Sequence, residues 1–376
     1  MTTPTTIPSD LTALRDEIAE INDALLDLLS RRAQVATDIQ RIKSREGIPT
    51  YVPEREQAMI VDLVRKNPGP FSNETVARLF KEIFRASVGL MEEQKERYLK
   101  ISRAHRASDL EVRIGEAVVG GSAPVVIAGP CSIESEEQLD EVARALVAQG
   151  VRFMRGGAFK PRSSPYAFQG LGRRGLEILS EVARRHGLYT VTEVMDTRSV
   201  DLVASYADVL QIGSRNMHNY DLLREVGRSR RPVLLKRGLS ATIEELLWSA
   251  EYIVHEGNQD VILCERGIRT FERETRNTLD ISAVPLLRQK SYLPVLVDVS
   301  HAAGRRDILG PLGKAALAAG ASGLMVEVHP CPAVARSDNE QQLDLDEFAK
   351  FMAAVGLGKP AADAQLPPSA LRAVNA

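Results

Sequence analysis

The chain has 376 residues, 44% of them hydrophobic, enough for one large domain and a smaller one with cores of their own. Lysine and arginine total 48 against 50 aspartate and glutamate, a net charge of -2 that leaves no electrostatic footprint for nucleic acid or an anionic membrane. The opening MTTPTTIPSD lacks a signal-peptide pattern, no apolar run is long enough to cross a bilayer, and the three cysteines are too few and scattered for a disulfide framework. A soluble cytoplasmic protein is expected, and any basic cluster in it must be local.

From Leu11 the apolar residues fall at Leu14, Ile18, Ile21, Leu25 and Leu28, then Val35, Ile39 and Ile42. Spacings of three and four predict one long helix with a packing seam. At roughly 1.5 Å per residue it would extend about 50 Å, too far for a lone small globule, so it needs partner helices or a second subunit. Arg32 interrupts the seam, and a buried arginine is costly unless it meets an anion, so it marks a candidate site. GIP at Gly47 to Pro49 stops this helix. A second begins near Pro53, NPGP at Asn67 to Pro70 stops that, and a third runs from about Asn73 to Leu99. An all-helical domain is therefore expected over residues 10–99. The charged KISRAHRASDLE then gives way to EVRIGEAVVGG, whose alternation and glycines predict a short hairpin at a domain junction spanning 100–122.

Beyond it, strands alternate with helices. PVVIAG, RFMRGG, YTVTEV, VLQIGS, PVLLKRG, VILCER, PVLVDVS and GLMVEV are eight apolar segments separated by helical stretches such as EEQLDEVARALVAQG. They fit a (β/α)8 TIM barrel over residues 123–356, an α/β fold preceded by the all-α unit. A doubly wound open sheet is the rival, disfavoured by the number of units and the absence of a GxGxxG turn. The Ala- and Pro-rich tail, 357–376, is expected to be loose.

In such barrels the active site lies at the C-terminal strand ends. Those ends carry Cys131; Arg155, then Lys160 and Arg162; Glu193; Arg215; Lys236 and Arg237; Glu265 and Arg266; Asp298 and His301; and Glu327. Any one could be a surface charge, but basic groups converging from separate strands suit a highly anionic small substrate, because arginine forks match phosphate and carboxylate. Cys131, His301 and Glu327 sit on the first, seventh and eighth strand ends, adjacent when the barrel closes, and Asp338 follows in the last loop. A thiolate, an imidazole and two carboxylates make a mixed S, N, O site for a divalent metal of the Mn, Fe, Co or Zn type. His329 and Cys331 are rival ligands, His329 preferred as a neighbour supporting the ligands, and Cys264 reads as core.

These motifs resemble those of 3-deoxy-D-arabino-heptulosonate 7-phosphate (DAHP) synthases carrying an N-terminal chorismate mutase-like domain. GPCSIES, RGGAFKPRSSPYAFQGLG, QIGSRNM, PVLLKRGLSATI, ILCERGIRT, DVSHAAGRRD and EVHP occur in order through nearly the whole chain. The resemblance implies condensation of phosphoenolpyruvate with erythrose 4-phosphate, the first step of the shikimate pathway. It implies metal ligation by Cys131, His301, Glu327 and Asp338. Arg155, Lys160, Arg215, Lys236 and Arg266 would bind phosphoenolpyruvate, and Arg162 and Ser163 the phosphate of erythrose 4-phosphate. Lys160 is the candidate proton donor, with His301 or a bound water the alternative. The related condensation with arabinose 5-phosphate is the nearest rival, disfavoured by KPR at Lys160 to Arg162.

The helical domain resembles all-helical chorismate mutases in LTALRDEIAEINDALLDLLSRR, Lys43 and PERE at Pro53 to Glu56. That match implies a chorismate or prephenate site from Arg15, Arg32, Lys43, Arg55 and Glu56, with Arg15 reaching into a partner's site. Two positions depart from the pattern: Val52 replaces an Asp, and Met91 a Gln that would bond the substrate's ether oxygen. A weakened mutase acting as a feedback sensor is expected, with a purely structural dimerisation module as the alternative. The seam predicts a helical dimer and the family a tetramer.

Overall fold

The computed structural model describes residues 9–46, 52–97, 99–160, 166 and 168–358. The chain divides into two compact units, Met1–Leu99 and Lys100–Ala376.

Among the described residues three helices build the first: α1 (Ser9–Glu46), α2 (Pro53–Arg65) and α3 (Asn73–Arg97). Proline opens α2, where its missing N–H costs nothing, while Val52 before it offers no side-chain cap. Ser72 Oγ accepts from the Thr75 N–H at the head of α3, 3.1 Å. α3 contacts both α1 and α2, and α1 buries Ala36, Thr37 and Gln40. These are not the residues of the apolar seam. Leu14, Ile18 and Leu28 are 56%, 60% and 62% exposed, so the seam is an uncovered stripe along the 38-residue α1. Arg32 lies at its edge, bonded to Ser87 Oγ on α3, its guanidinium 4.9 Å from the Phe84 ring centroid.

The second unit begins with a hairpin, β1 (Val112–Ile114) antiparallel to β2 (Ala117–Val119). A closed, all-parallel barrel follows: β3 (Val125–Gly129), β4 (Phe153–Arg155), β5 (Tyr189–Glu193), β6 (Val209–Ile212), β7 (Val233–Lys236), β8 (Val261–Glu265), β9 (Val295–Asp298) and β10 (Gly323–Glu327). Both faces of these strands are covered, so they are continuous apolar runs, not alternating ones. Helices that follow the strands start where the sequence signals it: Thr242 and Glu245 form a capping box before Ile243–His255, and Asp344 and Glu347 another before Leu345–Ala354.

Two consequences set up the site. β4, β5, β7, β8, β9 and β10 each end on a charged residue, so the C-terminal rim is a ring of ionic groups. β10 pairs with β3 in the register Glu327↔Gly129, which sets Glu327 beside the turn carrying Cys131. Gly129 has φ +144°, and a Cβ there would stand 2.1 Å from the Arg155 carbonyl oxygen, so only glycine lets the ends of β3 and β4 approach this closely. Among the described residues no helix is long and apolar enough to cross a membrane. Arg162 and Ser163 lie outside the described residues, as does the chain after Gly358.

Candidate active site and metal centre

A cavity of about 170 Å³ opens at the C-terminal mouth of the barrel. Arg237 pairs with Glu265 and Asp280 instead, whereas the five basic residues that the resemblance assigns to phosphoenolpyruvate, Arg155, Lys160, Arg215, Lys236 and Arg266, all line the cavity. Arg269 and Arg276 join them, against Glu193 and Asp338 as the lining carboxylates. Arg155 and Arg266 are each only 4% exposed, and their Nε atoms have no partner among the described residues. Unpaired buried guanidinium N–H groups are expensive, and an anion in the cavity would satisfy them.

Cys131 Sγ and carboxylate oxygens of Glu327 and Asp338 all lie within 4.8 Å of one another. His301 flanks this group without belonging to it at that spacing: its Nε2 is 3.6 Å from Glu327 Oε1 and 3.9 Å from Asp338 Oδ2. Asp298 Oδ2 stands 2.7 Å from His301 Nδ1, an ion-pair distance without hydrogen-bond alignment, and also pairs with Lys236 Nζ. Each of the three grouped donors has a cation at hand. Lys160 Nζ is 3.1 Å from Cys131 Sγ, Arg155 Nη1 2.6 Å from Glu327 Oε1, and Arg276 Nη1 3.3 Å from Asp338 Oδ2.

Electrostatics follow from this packing. Burial, reinforced by the Glu327 charge, pushes the Cys131 thiol up to about 11. Burial opposes ionisation of Asp338, but Arg276, His301 and Lys160 outweigh it and bring its carboxyl down to about 2. Glu327 is likewise lowered, His301 and Arg155 overcoming its burial, and His301 is lowered by its own burial against the pull of Asp298 and Glu327. A thiol and two carboxylates within that span, with an imidazole flanking them whose burial favours its neutral form, make a donor set that fits a divalent metal.

The other cysteines and the rival histidine stand elsewhere. His329 Nδ1 accepts from the Cys331 N–H, and its Nε2 faces Glu134 Oε2 at 3.8 Å. Cys264 is buried within β8, its thiol pushed up to about 12 by burial, and Cys331 is exposed. Four contributors escaped the sequence reading: Arg269, Arg276 and Asn277, which line the cavity, and Gln341, which donates to Glu327 Oε2. The first three sit in GIRTFERETRNTLD, whose unusual length and basic content after β8 was the available signal.

In the helical unit Arg32 meets Ser87, and Met91 lies one turn further along the same face of α3. Lys43 and Glu56 are partly buried, whereas Arg15 and Arg55 are exposed. Seventeen residues separate Arg15 from Arg32 on one straight helix, about 25 Å, so a single chain does not bring those two together.

Residues 99–358 match the DAHP synthetase I family and residues 14–92 match chorismate mutase type II. The chain belongs to the DAHP synthetase I family. It is an enzyme of DAHP synthase type, linked to aromatic biosynthesis, with an N-terminal chorismate mutase-type domain. A phospho-2-dehydro-3-deoxyheptonate aldolase of Thermotoga maritima is 53% identical over 255 residues, covering 68% of this chain and 75% of that protein. The crystal structure of a DAHP synthase from the same organism, at 52% identity, superposes with a TM-score of 0.68 over 69% of this chain and 76% of that one. More distant is a 2-dehydro-3-deoxyphosphooctonate aldolase of Fusobacterium nucleatum, 31% identical over 64% of this chain and 94% of its own length. The barrel that forms the cavity is thus the part shared with the synthases.

Proposed function

We propose that the barrel condenses phosphoenolpyruvate with erythrose 4-phosphate to give DAHP and inorganic phosphate. The observation that carries this is the cavity itself: seven cationic side chains, two with unpartnered buried Nε atoms, beside a thiol and two carboxylates. Arg155, Lys160, Arg215, Lys236 and Arg266 would hold the phosphate and carboxylate of phosphoenolpyruvate, orienting its methylene carbon towards the aldehyde. Arg162 and Ser163 would take the phosphate of the sugar. A divalent metal on Cys131, His301, Glu327 and Asp338 would supply Lewis acidity towards the aldehyde oxygen.

The methylene carbon bonds to the aldehyde carbon, which leaves positive character on the carbon bearing the phosphate. The cavity's carboxylates and substrate anions stabilise that charge. Water adds there, its proton is lost, and phosphate leaves by carbon–oxygen cleavage. Lys160 reaches the centre of this site, its Nζ 2.9 Å from the Cys131 carbonyl oxygen, and would donate the proton to the new hydroxyl. Purified protein given phosphoenolpyruvate, manganese and either erythrose 4-phosphate or arabinose 5-phosphate should release phosphate with the four-carbon sugar. Preference for arabinose 5-phosphate would replace this reading with that of the more distant relatives.

For the helical domain we favour a weakened mutase that binds chorismate or prephenate as a feedback sensor. Arg32, Lys43, Arg55 and Glu56 would belong to one chain's site and Arg15 to the partner's, as the length of α1 requires. The uncovered stripe of α1 supports a dimer of helical units, and the family resemblance suggests a homotetramer. Mutase turnover and inhibition of the synthase by each ligand, measured on one preparation, test this; absence of both would leave a dimerisation module.

A further inference from the structure

The loop leaving β8 contributes residues to which neither substrate nor metal has been assigned. Its neck is pinned by an antiparallel bridge, in which Ile268 and Thr278 exchange N–H to carbonyl bonds of 2.9 Å. On the returning arm, Arg276 and Asn277 face two ways. Their N–H groups donate to the carbonyls of Ala303 and Ala302, at 2.8 and 2.9 Å, and Asn277 Nδ2 donates to the His301 carbonyl at 2.8 Å. This arm therefore grips the short helix Val299–Ala303 that carries His301.

The Arg276 side chain points the other way. Its Nη1 donates to Gln341 Oε1 at 2.7 Å and lies 3.3 Å from Asp338 Oδ2. Gln341, which is 2% exposed, in turn donates through Nε2 to Glu327 Oε2 at 2.5 Å. One guanidinium thus touches one candidate ligand directly and a second through a buried amide. Room for it is built into the fold. Gly304 has φ +68°, and a Cβ there would stand 2.3 Å from Arg276 Cβ. Asp338 sits in the left-handed region at φ +45°, which aspartate tolerates better than most non-glycine residues but which still restricts where its carboxylate can be placed. A plain surface ion pair would show neither the buried relay nor the reserved space.

We infer that Arg276 is a positioning residue of the metal centre, fixing Asp338 directly and Glu327 through Gln341 so that both carboxylates face one cation. The inference rests on the assignment of Cys131, His301, Glu327 and Asp338 as metal donors. The opposite effect is the physical rival: a guanidinium this close to a divalent cation also repels it, and it competes for Asp338. Orientation and repulsion predict opposite signs, which makes the balance measurable.

The experiment titrates metal-free full-length protein with cobalt(II), reading ligation by Cys131 from the thiolate-to-cobalt charge-transfer band and affinity from competition with a chromophoric chelator. Loss of such outer-shell support typically costs about 10- to 100-fold in metal affinity, which is the fall expected for Arg276→Ala. Arg276→Lys keeps a charge near Asp338 but has one donor group in place of a fork, so its affinity should fall between the two. Equal or tighter cobalt binding by Arg276→Ala overturns the inference, marking Arg276 as a bystander or a repeller. The side chain is 39% exposed, so folding should survive; were the alanine variant not to fold, wild-type affinity in the lysine variant would overturn the inference alone. Absence of the thiolate band in the wild-type protein would sink the metal assignment itself, whereas a normal wild-type band with unchanged variant affinity sinks only the role of Arg276.

Discussion

Arg155→Met in the metal-free protein gives the most direct reading of the site's electrostatics. The guanidinium donates to the Pro130 carbonyl at 2.9 Å and to Glu327 Oε1 at 2.6 Å. Methionine fills much of the same volume but leaves the carboxylate of Glu327, which has no solvent exposure, with Gln341 as its remaining close donor. Removing one partner of a buried pair costs about 3 to 5 kcal/mol, because the other charge stays buried and uncompensated. In a unit of this size each kcal/mol moves the thermal midpoint by about 2 to 4 °C, so the barrel transition should fall by roughly 6 to 20 °C. Adding Glu327→Gln should recover most of that loss, since the stranded charge is gone, giving a large coupling energy in the double-mutant cycle. Excess divalent metal should raise the midpoint of Arg155→Met more than that of the wild type, because a cation at Glu327 replaces the missing one. Calorimetry of the four proteins, with and without manganese, reads all three effects. A single substitution costing under about 1 kcal/mol, or a double mutant no more stable than the single, would refute the account of Arg155 and Glu327 as a mutually dependent buried pair.

Cys131→Ala should abolish metal retention and turnover while the circular dichroism of the barrel is unchanged; metal-dependent turnover at the wild-type rate would remove Cys131 from the ligand set. Metal affinity should rise about tenfold per pH unit between pH 6 and 8, with close to one proton released, because only the thiol, at about 11, must lose a proton on binding. Asp338, at about 2, is already ionised there, and burial shifts His301 towards its neutral form, so calorimetry in buffers of different ionisation enthalpy showing two protons released at pH 8 would contradict the assignment. Arg162→Ala should raise KM for erythrose 4-phosphate by roughly 10-fold or more, the loss of one charged phosphate contact, whereas Lys160→Ala should lower kcat. Unchanged sugar kinetics in the first would move the sugar phosphate elsewhere. Met91→Gln should raise mutase turnover by on the order of 10²- to 10³-fold if a donor to the ether oxygen is what the helical site lacks; no gain would place the deficit elsewhere.

The barrel was legible because each of its strands is buried on both faces and therefore stands out as a short apolar run. Convergence of the site was legible for a topological reason. Closure makes β3 and β10 neighbours, so a cysteine after the first strand and a glutamate ending the last must meet. What stayed hidden lies on loops and in pairings. That Lys160 bonds the Cys131 carbonyl, that Asp298 serves both Lys236 and His301, and that Arg276 and Gln341 brace the carboxylates depend on backbone paths that no periodicity records. Arg276 is ten residues beyond Arg266, the basic residue of CERG, outside any reading confined to strand ends.

The helical unit shows the converse case, in which the pattern was visible and its partner was not. The three-and-four spacing of Leu14, Ile18, Ile21, Leu25 and Leu28 correctly implies a helix with one apolar face, yet α1 turns Ala36, Thr37 and Gln40 into its buried set. Small and polar residues allow close approach of α1 to α3 near the end of α1, while the large aliphatic side chains further back stay about half exposed among the described residues. A stripe of this kind is the form in which a sequence encodes an interface, since leaving several half-exposed leucines and isoleucines in water is unfavourable by about 25 cal/mol for each Å² that a neighbour could cover. Arg32 sits where the two faces divide. Its bond to Ser87 and its place over Phe84 hold the guanidinium on the α3 side, so the break in the apolar spacing marks the line at which the face packed on α3 gives way to the exposed stripe.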